Sequence, residues 1–519
     1  MGKVGKWALA VALCAGCGKG SGAGPGTGNV AVDGGVVSTQ PPPPPPDDGG
    51  PGTQPPPDGG IQFGGPGPWP IKNVIYGAAE GIRESPVVAV STDETQNLWV
   101  ATNAALYVMR PGDTKFMRFD GTTGANADLK TGIEHKLHLP GTAAAYCFDQ
   151  FGFHTAPNDC GSSSADTPGI TTIVGGGPNE VFVGYWGHHD WTRSDDGTWS
   201  DPFKDSGKMD HVRLNADGTI DVVRFQLVAT DDVVFWHNKS VWKMVYDHFT
   251  HKHELYVGAD HGVDKITPDK WKMPDPGTFF TAPQNEGQWM SDHLHPQACR
   301  GVPCDTPGAT QLLGDWRGLA IDPNGDLWVG GRWAAGKLLY TPSNNDWWHT
   351  PRPDGKKGIN PAYGDANPAF FSVPVTGDPV NISAMAIVPK KGTPAPGTYP
   401  FTVWAASGTL WHDPADVDYG IASSDKDFHF THYDPIRDAG MSESGVHDMV
   451  ALPDGRLVLA GSNTGLVFWD PNTGRHTAMR AGQGIPDDHV MGLELDTMVD
   501  PPALHVATGG GAAVIRVFP

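Results

Sequence analysis

Two short segments bring imidazoles beside a carboxylate. His188 and His189 precede Asp190, and Asp292 precedes His293 and His295. Imidazole nitrogen with carboxylate oxygen is the donor set that zinc, copper and nickel ions take, so a divalent metal is the cofactor these residues could hold. No HExxH or other fixed signature frames them, which leaves solvated loop histidines as the competing reading. His135, His138 and His154 lie in the same histidine-rich loops. Asp247, His248, His253, Asp260 and His261 read instead as turn and channel-lining groups. Trp186, Trp191 and Trp289 accompany the two segments, with Trp347 and Trp348 further on. Their flat faces could stack on sugars, or could cap the apolar ends of packed sheets. The chain carries no GxSxG elbow, P-loop or dinucleotide fingerprint, so no catalytic residue and no organic cofactor is assigned.

The six cysteines divide by context. Lys3 and Lys6 precede a short apolar run, Trp7 to Gly16, too short to span a bilayer as a helix and placed like an export signal. Cys14-Ala15-Gly16-Cys17 ends it and resembles a bacterial lipobox, which implies that Cys17 bears lipid. Cys14 departs from the leucine usual at that position, and ordinary secretion with cleavage at a nearby small residue is the alternative. Cys147 with Cys160 and Cys299 with Cys304 form two local pairs in Gly/Pro-rich loops. They read as disulfides of an oxidising compartment, although four cysteines allow three connectivities. Neither pair has the CxxC spacing of a zinc site.

The chain of 519 residues carries 36 basic and 58 acidic side chains, a net charge of −22. Such a surface repels polyanions, which excludes nucleic acid as a partner and leaves cations, basic proteins and neutral glycans. With 21 histidines, that charge falls in acid. The organisation reads as a signal over 1–17, a disordered Gly/Pro-rich tether over 18–68, and a repeat domain over 69–519. Pro41 through Pro46 make part of the tether a stiff rod.

Seven segments of the repeat domain share one grammar of three strand-forming residues followed by two small ones. Leu98-Trp99-Val100-Ala101-Thr102, Leu327-Trp328-Val329-Gly330-Gly331 and Leu457-Val458-Leu459-Ala460-Gly461 show it best, with further copies at 181–185, 255–259, 402–406 and 504–508. Turns rich in Pro, Asn, Asp and Gly bracket each copy, so each unit reads as an antiparallel meander. A strand buried on both faces reads as a continuous apolar run, and stacked four-stranded blades create that environment. The expected fold is all-β, a seven-bladed β-propeller of four-stranded antiparallel blades. Residues 71–76 are expected to complete the last blade and close the ring by pairing the two terminal strands. Trp99, Trp328 and Trp404 are expected to pack between blades.

The phrases "LWVAT…ALYVMRP", "LWVGG…KLLY" and "AGQGIPDDHVMGLELD" are similar to the two-component-regulator type of propeller repeat. That resemblance implies a recognition domain, here without kinase, membrane helix or DNA-binding region. A second likeness, to streptogramin lyases, lacks a recognisable counterpart of their catalytic histidine pattern.

Extra residues fall at 121–168, 187–207, 268–314 and 351–380, beyond the roughly 40–50 residues of a plain blade. Three of these are expected to join an outer strand to the next inner strand and one to join the second strand to the third. All would then emerge on one face, with both cysteine pairs. Loops enlarged on one side of a rigid scaffold usually carry binding. The reading is an exported, lipid-anchored envelope protein, outer-membrane or cell-surface, with periplasmic or secreted as alternatives. It is a monomer that recognises a protein, peptide or glycan through that face. An exported lyase or hydrolase, metal-dependent or not, is the alternative, and a structural scaffold the third.

Overall fold

The computed structural model of the chain describes residues 64–125, 133–139, 147–149, 152–154, 169–185, 208–226, 241–251, 253–259, 263–266, 291–294, 297–299, 310–312, 317–331, 335–338, 370–371, 382–408, 420–425 and 431–519. β1 (Val74–Tyr76) stands apart from the strands that follow it. The first meander is β2 (Val87–Thr92), β3 (Leu98–Thr102), β4 (Leu106–Met109) and β5 (Met117–Phe119). A hairpin, β6 (Cys147–Asp149) with β7 (Gly152–His154), precedes the second meander of β8 (Ile170–Gly175), β9 (Glu180–Tyr185), β10 (Lys208–Leu214) and β11 (Ile220–Gln226). The third is β12 (Val241–Asp247), β13 (Glu254–Ala259), β14 (Val263–Ile266) and β15 (Ser291–Leu294), followed by the hairpin of β16 (Gln297–Cys299) and β17 (Thr310–Leu312). The fourth is β18 (Gly318–Ile321), β19 (Leu327–Gly330), β20 (Ala335–Leu338) and β21 (Phe370–Phe371). The fifth is β22 (Ile382–Pro389), β23 (Phe401–Ser407), β24 (Ile421–Ser424) and β25 (Thr431–Tyr433). After the short helix α1 (Pro435–Ala439) comes the sixth, β26 (Asp448–Ala451), β27 (Leu457–Ala460), β28 (Leu466–Asp470) and β29 (Arg475–Met479). The last strands, β30 (Val490–Asp496), β31 (Ala503–Thr508) and β32 (Gly511–Ile515), take β1 as the fourth member of their sheet, with Val74 opposite Val514.

This is an all-β propeller fold of four-stranded antiparallel blades. Six meanders are drawn from consecutive strands, and one further sheet is shared by the two ends of the described chain. Their first strands touch in cyclic order: β2, β8, β12, β18, β22, β26, β30 and β2 again. Among the described residues no helix is long and apolar enough to cross a membrane.

Packing on both faces explains the repeated grammar. β3, β19, β27 and β31 are buried at every position. The small residues that follow are demanded by the neighbouring blade. A Cβ on Gly184 would lie 2.6 Å from Val241 Cγ1, and one on Gly330 would lie 2.2 Å from Ile382 Cγ2. Trp99 and Trp328 are fully buried, and each indole N–H donates to an aspartate ending its first strand, Asp93 at 2.8 Å and Asp322 at 3.0 Å. Trp404, also buried, meets Trp469 edge to face at 5.6 Å.

The expectation for the extra residues needs correction. Residues 268–314 contain β15, and 351–380 contain β21, so neither is a simple outer-to-inner connection. The stretches 267–290 and 339–369 join third strands to fourth. In a meander they emerge on the face opposite to the connections β5 to β8 and β9 to β10. The additions are therefore divided between both faces. The physical reason is that an outer strand packs along one edge only and needs no long apolar run; β21 has two residues.

Candidate functional site

The first strands line a central cavity of about 380 Å³. In β2, β8, β12, β22 and β30 the register slips by one residue near the start, leaving Val88, Thr171, Trp242, Ser383 and Met491 as bulges. Arg317 and His447 stand at the same point before β18 and β26, their N–H groups on Gly330 and Ala460 carbonyls. All seven line the cavity. A bulge re-aims the side chains that follow it. At the next position the first strands read Ala89, Thr172, Lys243, Gly318, Ala384, Asp448 and Gly492. Five are small or uncharged, and two carry opposite charge.

Those two meet. Lys243 Nζ donates to Asp448 Oδ2 at 2.8 Å, joining the third sheet to the sixth across the cavity. Asp448 is held rigidly. Its Oδ2 also accepts from Leu493 N at 2.9 Å and its Oδ1 from Met449 N at 2.9 Å. Two positions beyond the level of Asp448, on β30, Glu494 Oε1 accepts from Ser91 Oγ at 2.7 Å, and Ser91 Oγ accepts from Gly175 N at 2.7 Å. Burial drives the Glu494 carboxyl up to about 8, helped by the charges of Asp496 and Asp448; the Ser91 bond and Lys243 act against it. A protonated carboxyl and an ammonium–carboxylate pair thus share one cavity.

At the end of the cavity where the first strands begin, the Arg317 guanidinium lies 4.6 Å from the centre of the Trp242 ring. His447 Nδ1 lies 3.3 Å from Val490 O and its Nε2 2.8 Å from Ser462 Oγ. A carbonyl only accepts, so Nδ1 carries the proton and the Ser462 hydroxyl donates to Nε2. At the opposite end His248 Nδ1 lies 3.2 Å from Glu94 Oε1 and lines the cavity, as its sequence neighbourhood implies. Asp247 accepts from the backbone N–H of Phe249, Thr250 and His251 and is a turn residue.

The histidines singled out from sequence fare differently. His138 Nδ1 lies 2.6 Å from Asp210 Oδ1 and its Nε2 2.7 Å from Glu134 Oε1. Burial lowers its pKa, but Asp210 and then Glu134 more than reverse this and lift it to about 9. Both nitrogens of this imidazolium are committed to carboxylates, which leaves none for a metal. His135 Nδ1 lies 3.0 Å from Ile220 O and 3.3 Å from Asp221 Oδ1. Together they pin residues 133–139 to β10 and β11. His293 sits on β15 opposite Asp264, His154 on β7 opposite Cys147, and Cys299 on β16 opposite Thr310. Cys17, Cys160, Trp186, His188, His189, Asp190, Trp191, Trp289, His295 and Cys304 lie outside the described residues. Among the described residues no group of three or more His, Cys, Asp or Glu is arranged to hold a metal ion.

Lys243, Asp448 and Glu494 escaped the sequence reading. The signal for Lys243 and Asp448 is a charge at a first-strand position where other repeats place Ala, Thr or Gly, and for Glu494 a charge two positions on, where they place Ser, Val or Ala. Trp242-Lys243 and His447-Asp448 stand where Val88-Ala89 stands in the first repeat.

No family model and no curated protein matches the chain. Solved structures do. One is the extracellular domain of a one-component system from B. thetaiotaomicron, at 11% identity and a TM-score of 0.40. The match covers 85% of this chain and 39% of that one, so this chain spans well under half its length. A chain of the mitotic checkpoint complex matches at 11% identity, with 86% and 94% covered and a TM-score of 0.41. Virginiamycin B lyase from Staphylococcus aureus matches at 9% identity, with 85% and 98% covered and a TM-score of 0.42.

Proposed function

We propose that this chain is an exported, lipid-anchored envelope protein whose seven-bladed propeller recognises a protein, peptide or glycan at one end of its channel. The blade number is supported by six complete meanders and the sheet shared by the chain ends. In this reading residues 1–17 are the export signal, Cys17 bears the lipid, and 18–68 hold the propeller away from the membrane. Cys147–Cys160 and Cys299–Cys304 are disulfides. Trp186, Trp191 and Trp289 belong to recognition loops, and a divalent metal at His188, His189, Asp190, His293 and His295 is an accessory to them.

The observation that carries the reading is the cavity walled by the first strands, with a charged pair inside it. In this reading the connections β5 to β8 and β9 to β10, which belong to the end where the first strands begin, serve the end bearing Trp242, Arg317 and His447. The test is binding to peptide and glycan arrays by the full chain and by a variant with 187–207 replaced by a short Gly/Ser turn. The reading expects a signal that the replacement abolishes; equal signals overturn it. Cys17→Ala is expected to release the protein from membranes.

A second reading, an exported hydrolase at the same end, is favoured by one observation. Ser462 donates to the unprotonated nitrogen of His447, the relation of a nucleophile to its base. Covalent labelling of Ser462 by a fluorophosphonate, abolished in His447→Gln, supports that reading; an unlabelled protein removes it.

A further inference from the structure

We infer that the channel cavity binds a small zwitterion, an amino acid or short peptide with a free ammonium and a free carboxylate. This rests on reading the channel as a recognition site and names the ligand it takes.

An ammonium has three N–H donors. Lys243 directs one at Asp448, and among the described residues no second acceptor reaches it. Glu494 has two oxygens; Oε1 takes the Ser91 hydroxyl, and among the described residues Oε2 has no partner. The cavity therefore offers donors from Lys243 and an acceptor from Glu494. Asp448 already accepts from Leu493 N, Met449 N and Lys243, three of its roughly four places, so the ion pair is a fixed wall rather than the docking point.

A ligand carboxylate accepts from the open donors of Lys243, and a ligand ammonium donates to Glu494 Oε2. The two open groups select the zwitterion. A ligand carrying only one of the two charged ends would leave either the Lys243 donors or Glu494 Oε2 unanswered in a site shielded from water. A neutral sugar answers neither group with charge. The volume, about 380 Å³, lies at the small end of ligand pockets and suits an amino acid or dipeptide.

Protonation gives an independent signature. Glu494 faces Asp496 and its cross-strand partner His505 within its own sheet, Ser91 on β2, Lys243 on β12 and Asp448 on β26. With its carboxyl held up to about 8, it is mostly protonated at pH 7. An ammonium arriving at Oε2 favours the carboxylate, so binding releases a proton.

The test is titration calorimetry at pH 7 in two buffers of different ionisation enthalpy. The probes are alanine, Ala-Ala, N-acetylalanine and alanine amide. Alanine or Ala-Ala is expected to bind at least tenfold more tightly than either capped probe, with net proton release. Lys243→Met and Glu494→Gln are each expected to weaken that binding at least tenfold. If Lys243→Met fails to fold, the paired Lys243→Met/Asp448→Asn variant, which leaves no lone charge, carries the measurement. No heat from either zwitterion, equal binding of the capped probes, or variants that bind like the natural chain overturns the inference. A chain that ignores Ala-Ala but keeps a loop-dependent array signal overturns the zwitterion alone. Ala-Ala binding with an array signal indifferent to 187–207 overturns the loop reading alone.

Discussion

Lys243 and Asp448 stand 205 positions apart and meet at 2.8 Å across the channel. They come from the third and sixth sheets, so their contact exists only when the ring is assembled. Removing one partner strands the other. Lys243→Met is expected to cost about 2 kcal/mol, below the full penalty of breaking a buried pair because its side chain is 26% exposed. Lys243→Met/Asp448→Asn should recover most of that loss. Urea unfolding of the cycle measures it, and a coupling near zero contradicts the arrangement.

Glu494 sets a pH dependence. The unfolded carboxyl loses its proton near 4.5, whereas the folded one keeps it to about 8. Folding therefore takes up a proton between those values, and this contribution to stability falls as pH rises through the window. Glu494→Gln removes the effect. It is expected to be more stable than the natural chain at pH 8, by about 1–2 kcal/mol, with a flatter profile from pH 5 to 8 by chemical denaturation.

His138 acts in a different window. Its pKa rises from 6.5 to about 9 on folding. The stabilisation is complete below 6.5 and is lost as pH rises through 9. It amounts to about 2 kcal/mol. His138→Gln should be less stable at pH 6 and nearly equal to the natural chain at pH 10. Amide hydrogen exchange over 133–139 should report the same loss locally.

Trp99 and Trp328 hold equivalent places, each with its N–H on an aspartate. Replacing either by Phe removes a donor from a buried carboxylate and leaves a small void. Each is expected to cost about 1–3 kcal/mol in urea unfolding. Unchanged stability in both would contradict a packing role for these rings.

What was legible in the sequence follows from burial. A strand packed on both faces, such as β3 or β27, must be apolar throughout, so its repeats stand out. The closing strand was legible for a related reason: residues 71–76 occupy the repeat position left empty by the last three strands, and β1 pairs there. β15 and β21 were not legible, because edge strands carry little apolar pattern, and the loops around them were assigned to the wrong connections. Lys243 and Asp448 were hidden because ring assembly brings them together, and no local spacing encodes that. His138 was read only as one histidine of a histidine-rich loop; the carboxylates that claim both its nitrogens lie on residues 134 and 210.

The pairing of β1 with β32 also orders events in time. Val74 is made early, and its partner Val514 arrives only when 440 further residues have been added. Until then β1 has no inner neighbour and the ring has no closing seam. Joining ends so far apart carries a loop-closure cost of about 5 kcal/mol, which only the finished sheet offsets. Closure thus waits for β32, and such distant contacts fold slowly. A chain lacking its last strands is expected to leave β1 without a partner and an open sheet edge, a template for pairing with another copy.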